Sequence, residues 1–204
     1  MTSSPHDARA PTVVYTIGHS NHAIEKFVAM LREHSVTRVA DVRSHPVSRF
    51  APQFGAKRLS AELDGAGIAY SFVGQELGAR SNDPACVVDG RVDYERLAST
   101  ALFAAGLDRV AAAAGRERVA LLCAERDPFD CHRAILVCRA LLGRGIDARH
   151  IREDGSLESR AALDARLLAE LGAGERDLFA TEEELVAAAY RARGREIAYR
   201  PRTA

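Results

Sequence analysis

Five short runs of β-branched and apolar residues alternate with stretches whose apolar residues fall at helical spacing. This alternation constrains the fold more than any other feature of the chain, because it admits few arrangements besides a parallel sheet with crossover helices. The runs are VVYTI (13–17), RVADVR (38–43), IAYSFV (68–73), RVALLCAE (118–125) and ARHIRE (148–153). Between them, residues 21–35 place Ile24, Phe27, Val28 and Leu31 on one helical face, with Asn21 positioned to cap. Residues 56–67 read as a short helix ending at glycines, 94–114 as one long helix, and 131–142 as the next. Residues 74–93 are polar and read as a long loop of the kind that carries function.

Two Ala/Glu/Arg-rich helices follow the fifth strand, over 159–172 and 181–194, and Thr181 with Glu184 fits a capping box. The expected fold class is therefore α/β: a single domain with a mostly parallel sheet flanked by helices, plus C-terminal helices. The expected organisation is a disordered N-terminal tail (1–11) and one domain over 12–204. Within it, 155–204 forms a helical extension packed on the sheet.

The formal net charge is zero, so no whole-chain attraction to nucleic acid or an acidic membrane is implied. No run approaches the roughly eighteen apolar residues of a membrane span, and MTSSPHDARAP lacks the apolar stretch of a signal peptide. Cys86, Cys123, Cys131 and Cys138 contain no CxxC pair. Four such cysteines do not make a disulfide framework, so a cytoplasmic location with reduced thiols is expected.

Ligands of open parallel sheets bind beyond the carboxyl ends of the strands, and there the reactive side chains collect. His19, Ser20 and Asn21 follow the first strand. Asp41 and Arg43 end the second, with Ser44, His45, Ser48 and Arg49 just beyond. Gln75, Glu76 and Arg80 follow the third. Cys123 and Glu125 end the fourth and lead to Cys131-His132-Arg133, and His150 lies on the fifth. With Asp130 as helix cap, Cys131 would sit in the first turn, where free N–H groups favour a thiolate. Arg133 would then offer a fork for a phosphate or carboxylate.

The structural alternatives are plain. Cys131 would be a buried hydrophobe with Arg133 paired to Glu125 or Asp127. Asp41 and Arg43 would form an internal ion pair, His19 would be a solvated loop residue, and Cys138 is expected in the core. A metal reading would gather Cys123, Cys131, His132, His19 and Asp41, but no zinc-type spacing supports it, so neither a metal nor a cofactor is expected. A Cys123–Cys131 disulfide in a reducing compartment would be a redox device.

In order along the chain, YTIGHSNHAIEKFVAML, VADVRSHPVSRFAPQF, ELDGAGIAYSFVGQELGAR, LLCAERDPFDCHR and HIREDGS resemble the family called domain of unknown function 488. The resemblance runs from about Tyr15 to Gly155, and AAAYRARGREIAY resembles the tail of longer members. It implies a soluble prokaryotic α/β protein of unassigned activity. The motif positions are Gly18, His19, Ser20, Asp41, Arg43, Pro46, Ser48, Arg49, Leu77, Gly78, Cys123, Glu125, Cys131, His132 and Arg133.

Three functions compete. The first is an enzyme of thiol-dependent transfer or hydrolysis on an anionic, phosphate- or carboxylate-bearing substrate, which a nucleic acid would also supply. Cys131 would be the nucleophile and His19, His132, Asp41 and Glu125 would handle protons and orientation. Ser20, Arg43, Ser48, Arg49, Cys123 and Arg133 would hold the substrate. Arg133 follows Cys131 too closely for a CX5R phosphatase loop, and a rhodanese-type loop is missing. The second is a non-catalytic nucleotide- or nucleic-acid-binding module, which the lack of an aromatic platform disfavours. The third is a scaffold.

Overall fold

The computed structural model describes residues 12–47, 50–171 and 180–201; the expected tail over 1–11 lies outside them. Its strands are β1 (Thr12–Gly18), β2 (Arg38–Asp41), β3 (Ala69–Phe72), β4 (Val87–Val88), β5 (Arg91–Val92), β6 (Val119–Cys123), β7 (Ile146–Ile151) and β8 (Leu157–Ser159). Among the described residues, six of them form one sheet in the order β3-β2-β6-β1-β7-β8. All neighbours run parallel except β8, which returns antiparallel beside β7. The mostly parallel sheet read from the alternation of runs is thus the architecture of the chain. No helix of the described residues is long and apolar enough to cross a membrane.

The helices are α1 (Ile24–Glu33), α2 (Ala56–Gly65), α3 (Gly74–Leu77), α4 (Tyr94–Ala98), α5 (Ala101–Ala114), α6 (Arg139–Leu142), α7 (Arg160–Leu171) and α8 (Glu182–Ile197); a π-helical segment, Arg133–Cys138, leads into α6. Strand periodicity decides which side chain meets which layer. Along β6, Ala120 and Leu122 pack with Phe27, Leu31, Leu59 and Leu63 of α1 and α2. Val119, Leu121 and Cys123 face the opposite core with Phe103, Leu107 and Val110 of α5 and Val137 of the π segment. Both faces of the strand are covered, so it reads as a continuous apolar run. Each fully buried leucine or phenylalanine here contributes about 1.5–3 kcal/mol. A third cluster joins α7 and α8 to the body through Leu163, Leu167, Val186 and Tyr190 against Phe129 and Ile135.

Several local expectations are corrected. Residues 74–93 are not one loop: they contain α3, a 3-10 turn over Pro84–Cys86 and the β4–β5 hairpin. Cys86 is buried in that turn. The long helix over 94–114 is two, because the Thr100 hydroxyl caps the Phe103 amide (3.2 Å) and starts α5 afresh. Helix α1 begins at Ile24 after Ala23 rather than at Asn21. The fifth run pairs from Ile146 rather than Ala148, and β8 is an edge strand with no apolar signature. Thr181 and Glu184 do form the capping box of α8.

Candidate functional site

The pairing register sets three strand ends side by side: Gly18 lies opposite Cys123, and Asp41 lies between Leu122 and Phe72. Beyond β1 the ladder continues, as the His19 and Ser20 amides donate to the Cys123 and Ala124 carbonyls (2.9 and 3.0 Å). This approach requires glycine at 18, where a Cβ would stand 1.9 Å from the Glu125 carbonyl oxygen. His19 turns inward and is 3% exposed, stacked on Phe54 at 4.5 Å. Its Nδ1 lies 2.8 Å from the Ser20 carbonyl. A carbonyl only accepts, so Nδ1 carries the hydrogen and Nε2 presents a lone pair. Burial is the main cause that lowers the His19 pKa to about 4, outweighing the Ser20 hydrogen bond, so the ring is neutral at pH 7.

At the end of β2, Asp41 accepts hydrogen bonds from the Arg43 amide (3.1 Å), Nε (2.9 Å) and Nη2 (2.6 Å), and from the Tyr70 hydroxyl (2.8 Å). Asp41 is completely buried and Arg43 nearly so. The internal ion pair foreseen for these residues is present, yet it leaves Arg43 Nη1 over. Arg43 Nη1 and His19 Nε2 are the buried side-chain atoms without a hydrogen-bond partner among the described residues.

The third component follows β6. Glu125 is exposed over part of its surface but turns Oε2 onto two thiols, Cys123 Sγ at 2.9 Å and Cys131 Sγ at 3.1 Å. His132 Nδ1 lies 3.5 Å from Cys123 Sγ, while its Nε2 donates to the Val42 carbonyl at 3.1 Å. One donor atom from each of Cys123, Glu125, Cys131 and His132 falls within 4.8 Å of the others. Burial pushes both thiols upward. For Cys131 this is outweighed by hydrogen bonding with Cys123 and by the Arg133 charge, which bring it down to about 6, whereas Cys123 stays well above the usual thiol value. Burial also raises Glu125, but the two thiol hydrogen bonds prevail and hold its carboxyl near 2.

Two expectations fail here. Asp130 is not the cap of the helix: it closes a 3-10 turn and pairs with Arg193. The first helical hydrogen bonds go to the Cys131 carbonyl, from Ala134 and Ile135, and the Arg133 amide meets the Cys131 sulfur at 3.4 Å. Arg133 is wholly buried and donates to the Thr16 hydroxyl and to the Glu125 and Arg126 carbonyls (3.3, 2.6 and 3.1 Å). It pairs with neither Glu125 nor Asp127 as a carboxylate and presents no open fork to a ligand. Asp127 is engaged by Arg166 and Arg152.

A cavity of about 320 Å³ opens above these strand ends. His19, Arg43, His45, Cys123, Glu125 and His132 line it; Asp41 stands behind Arg43, Cys131 is not part of the wall, and Ser20 lies apart. Ser48 and Arg49 lie outside the described residues. Cys138 is core. Sequence reasoning missed Tyr94, Ile197 and Tyr199, which also line it; the only pointer to Tyr199 was the resemblance of the terminal segment to the family tail.

Fold and site together define a parallel α/β protein with a thiol–imidazole–carboxylate cluster at the carboxyl edge of its sheet. The family model described as domain of unknown function DUF488 matches residues 23–140, more than half of the chain, and the chain belongs to that family. The match spans Asp41, Arg43 and the cluster from Cys123 to His132, and leaves His19 and the C-terminal helices outside. No curated protein and no solved structure matches the chain.

Proposed function

We propose that the cavity is the active site of an enzyme that performs hydrolysis or group transfer on a small phosphate- or carboxylate-bearing substrate. One observation carries this reading: the two unpartnered buried polar atoms, a guanidinium N–H and a neutral imidazole lone pair, both belong to residues lining one cavity. Buried polar groups are ordinarily satisfied, and each exception calls for an explanation, of which a catalytic role or a bound water or ion is one. Arg43 anchors the anion through Nη1 while Asp41 holds the rest of its fork. His19 Nε2 accepts a proton from the attacking group. The cluster around Cys123 forms the reactive wall, with Cys123 rather than Cys131 nearest the substrate.

Calorimetric titration with inorganic phosphate, small carboxylates and nucleoside phosphates tests the reading. Arg43→Lys keeps the charge beside Asp41 but loses the planar fork, and is expected to weaken binding at least tenfold. His19→Asn should abolish turnover while binding persists. Binding that ignores Arg43→Lys would sink the proposal. Binding confined to oligonucleotides, steeply salt-dependent and without turnover, would favour a nucleic-acid module instead.

A further inference from the structure

We infer that Cys123, Cys131, His132 and Glu125 form a binding site for a thiophilic divalent cation, zinc foremost. Donors around tetrahedral zinc at about 2.0–2.3 Å are separated from one another by roughly 3.3–3.8 Å. Here the contacts are 2.9, 3.1 and 3.5 Å, and all four donor atoms fit within 4.8 Å. The donor separations therefore differ from those of a tetrahedral shell by about 1 Å at most. Two sulfurs and an imidazole nitrogen select zinc-like ions over magnesium or calcium, which prefer oxygen.

The surroundings are those of a ligand set. A histidine that binds metal commonly donates its other nitrogen to a carbonyl, which fixes the tautomer. His132 does this through Nε2 to Val42, so Nδ1, the nitrogen facing Cys123, is the one left to bind an ion once it has given up any proton. A divalent cation with two thiolates and one carboxylate carries a net charge of −1, and the buried Arg133, hydrogen-bonded to the Glu125 carbonyl, supplies the balancing charge. Binding releases to solvent whatever protons the donor atoms still hold. Cys123, Cys131 and His132 are buried, whereas Glu125 is exposed and lines the cavity with Cys123 and His132. The carboxylate is thus the donor on the solvent side and the one a substrate or water would displace. The spacing Cys-x-Glu followed by Cys-His hides the site from a search for CxxC pairs.

Metal binding at these donors deepens the proposed function and rests on it only for what the metal does; occupancy is measured without substrate. The full chain, reduced and stripped with chelator, is titrated with Co²⁺ and then with Zn²⁺. Expected is one equivalent of cobalt, a sulfur-to-cobalt charge-transfer band of two thiolates, the visible bands of tetrahedral cobalt, and displacement by zinc. Cys123→Ser and Cys131→Ser should each weaken binding at least tenfold and halve the charge-transfer band. Cys86→Ser and Cys138→Ser should leave both unchanged.

Should either serine variant misfold, the unmutated protein still decides, because the band reports thiolates directly. Absence of the band in folded, reduced protein overturns the assignment, as does a band that survives loss of Cys123 and Cys131. Arg43→Lys should leave the cobalt spectrum intact. An anion-binding failure with an intact spectrum therefore counts against the active-site reading alone, and the reverse pattern against the metal alone.

Discussion

At the scale of single residues, Asp41 is the side chain on which most depends. Its two oxygens take four hydrogen bonds, three of them from Arg43. Removing one partner of a buried pair leaves the other charge stranded, at a cost of about 3–5 kcal/mol. Asp41→Asn should therefore lower stability by that order in urea unfolding, whereas Tyr70→Phe, which removes one of the four bonds, should cost about 1 kcal/mol. A stable Asp41→Asn protein would show that Arg43 is held by something else. The pair was legible in the sequence because a strand otherwise buried ended in Asp-x-Arg. The fate of Arg133 was not legible: its partners are backbone carbonyls and Thr16, which no side-chain pattern announces.

At the scale of elements, β1 and β7 share a buried polar contact, Thr16 Oγ1 to His150 Nδ1 at 2.9 Å. Burial first, and then the charges of Arg133, Arg166 and Arg152, lower the His150 pKa from 6.5 to about 3, with Asp127 opposing. His19 is lowered to about 4 in the same sense. A histidine whose folded pKa is depressed gives stability that is complete above its unfolded value. That stability is lost as pH falls, because the unfolded chain takes up the proton first. Each contributes a slope of about 1.4 kcal/mol per pH unit below about 6.5. The midpoint of urea unfolding should fall between pH 7 and pH 5, and His150→Gln should flatten that fall. An unchanged slope in the variant would refute the assignment. The strands themselves were readable because burial on both faces of a parallel sheet forces long apolar runs. The break between α4 and α5 depends on one hydroxyl cap, and β8 on its hydrogen bonds to β7, and neither leaves a periodic trace.

At the scale of the whole molecule, the cavity wall draws on distant parts of the chain. Tyr199 lines it, stacks against Arg80 at 5.5 Å, and accepts the Val92 amide on its carbonyl (2.9 Å). Tyr199→Ala keeps the backbone bond and removes the ring, so it should speed alkylation of Cys123 with little loss of thermal stability. An unchanged alkylation rate would show that Tyr199 does not shield the thiol. That the strand ends carry the site was legible from the rule for parallel sheets. That β1, β2 and β6 are the three adjoining strands was not, because strand order is written in long-range pairing rather than local pattern.

The four donors of the cluster occupy the ten positions from Cys123 to His132, whereas His19 and Tyr199 stand at opposite ends of the described chain. Closing a short segment costs little entropy, and closing a long one costs more before its contacts form. The floor of the cavity should accordingly assemble before its cover. In refolding, pulsed alkylation is expected to find Cys131 protected earlier than Cys123, and simultaneous protection would mean that floor and cover form in one cooperative step.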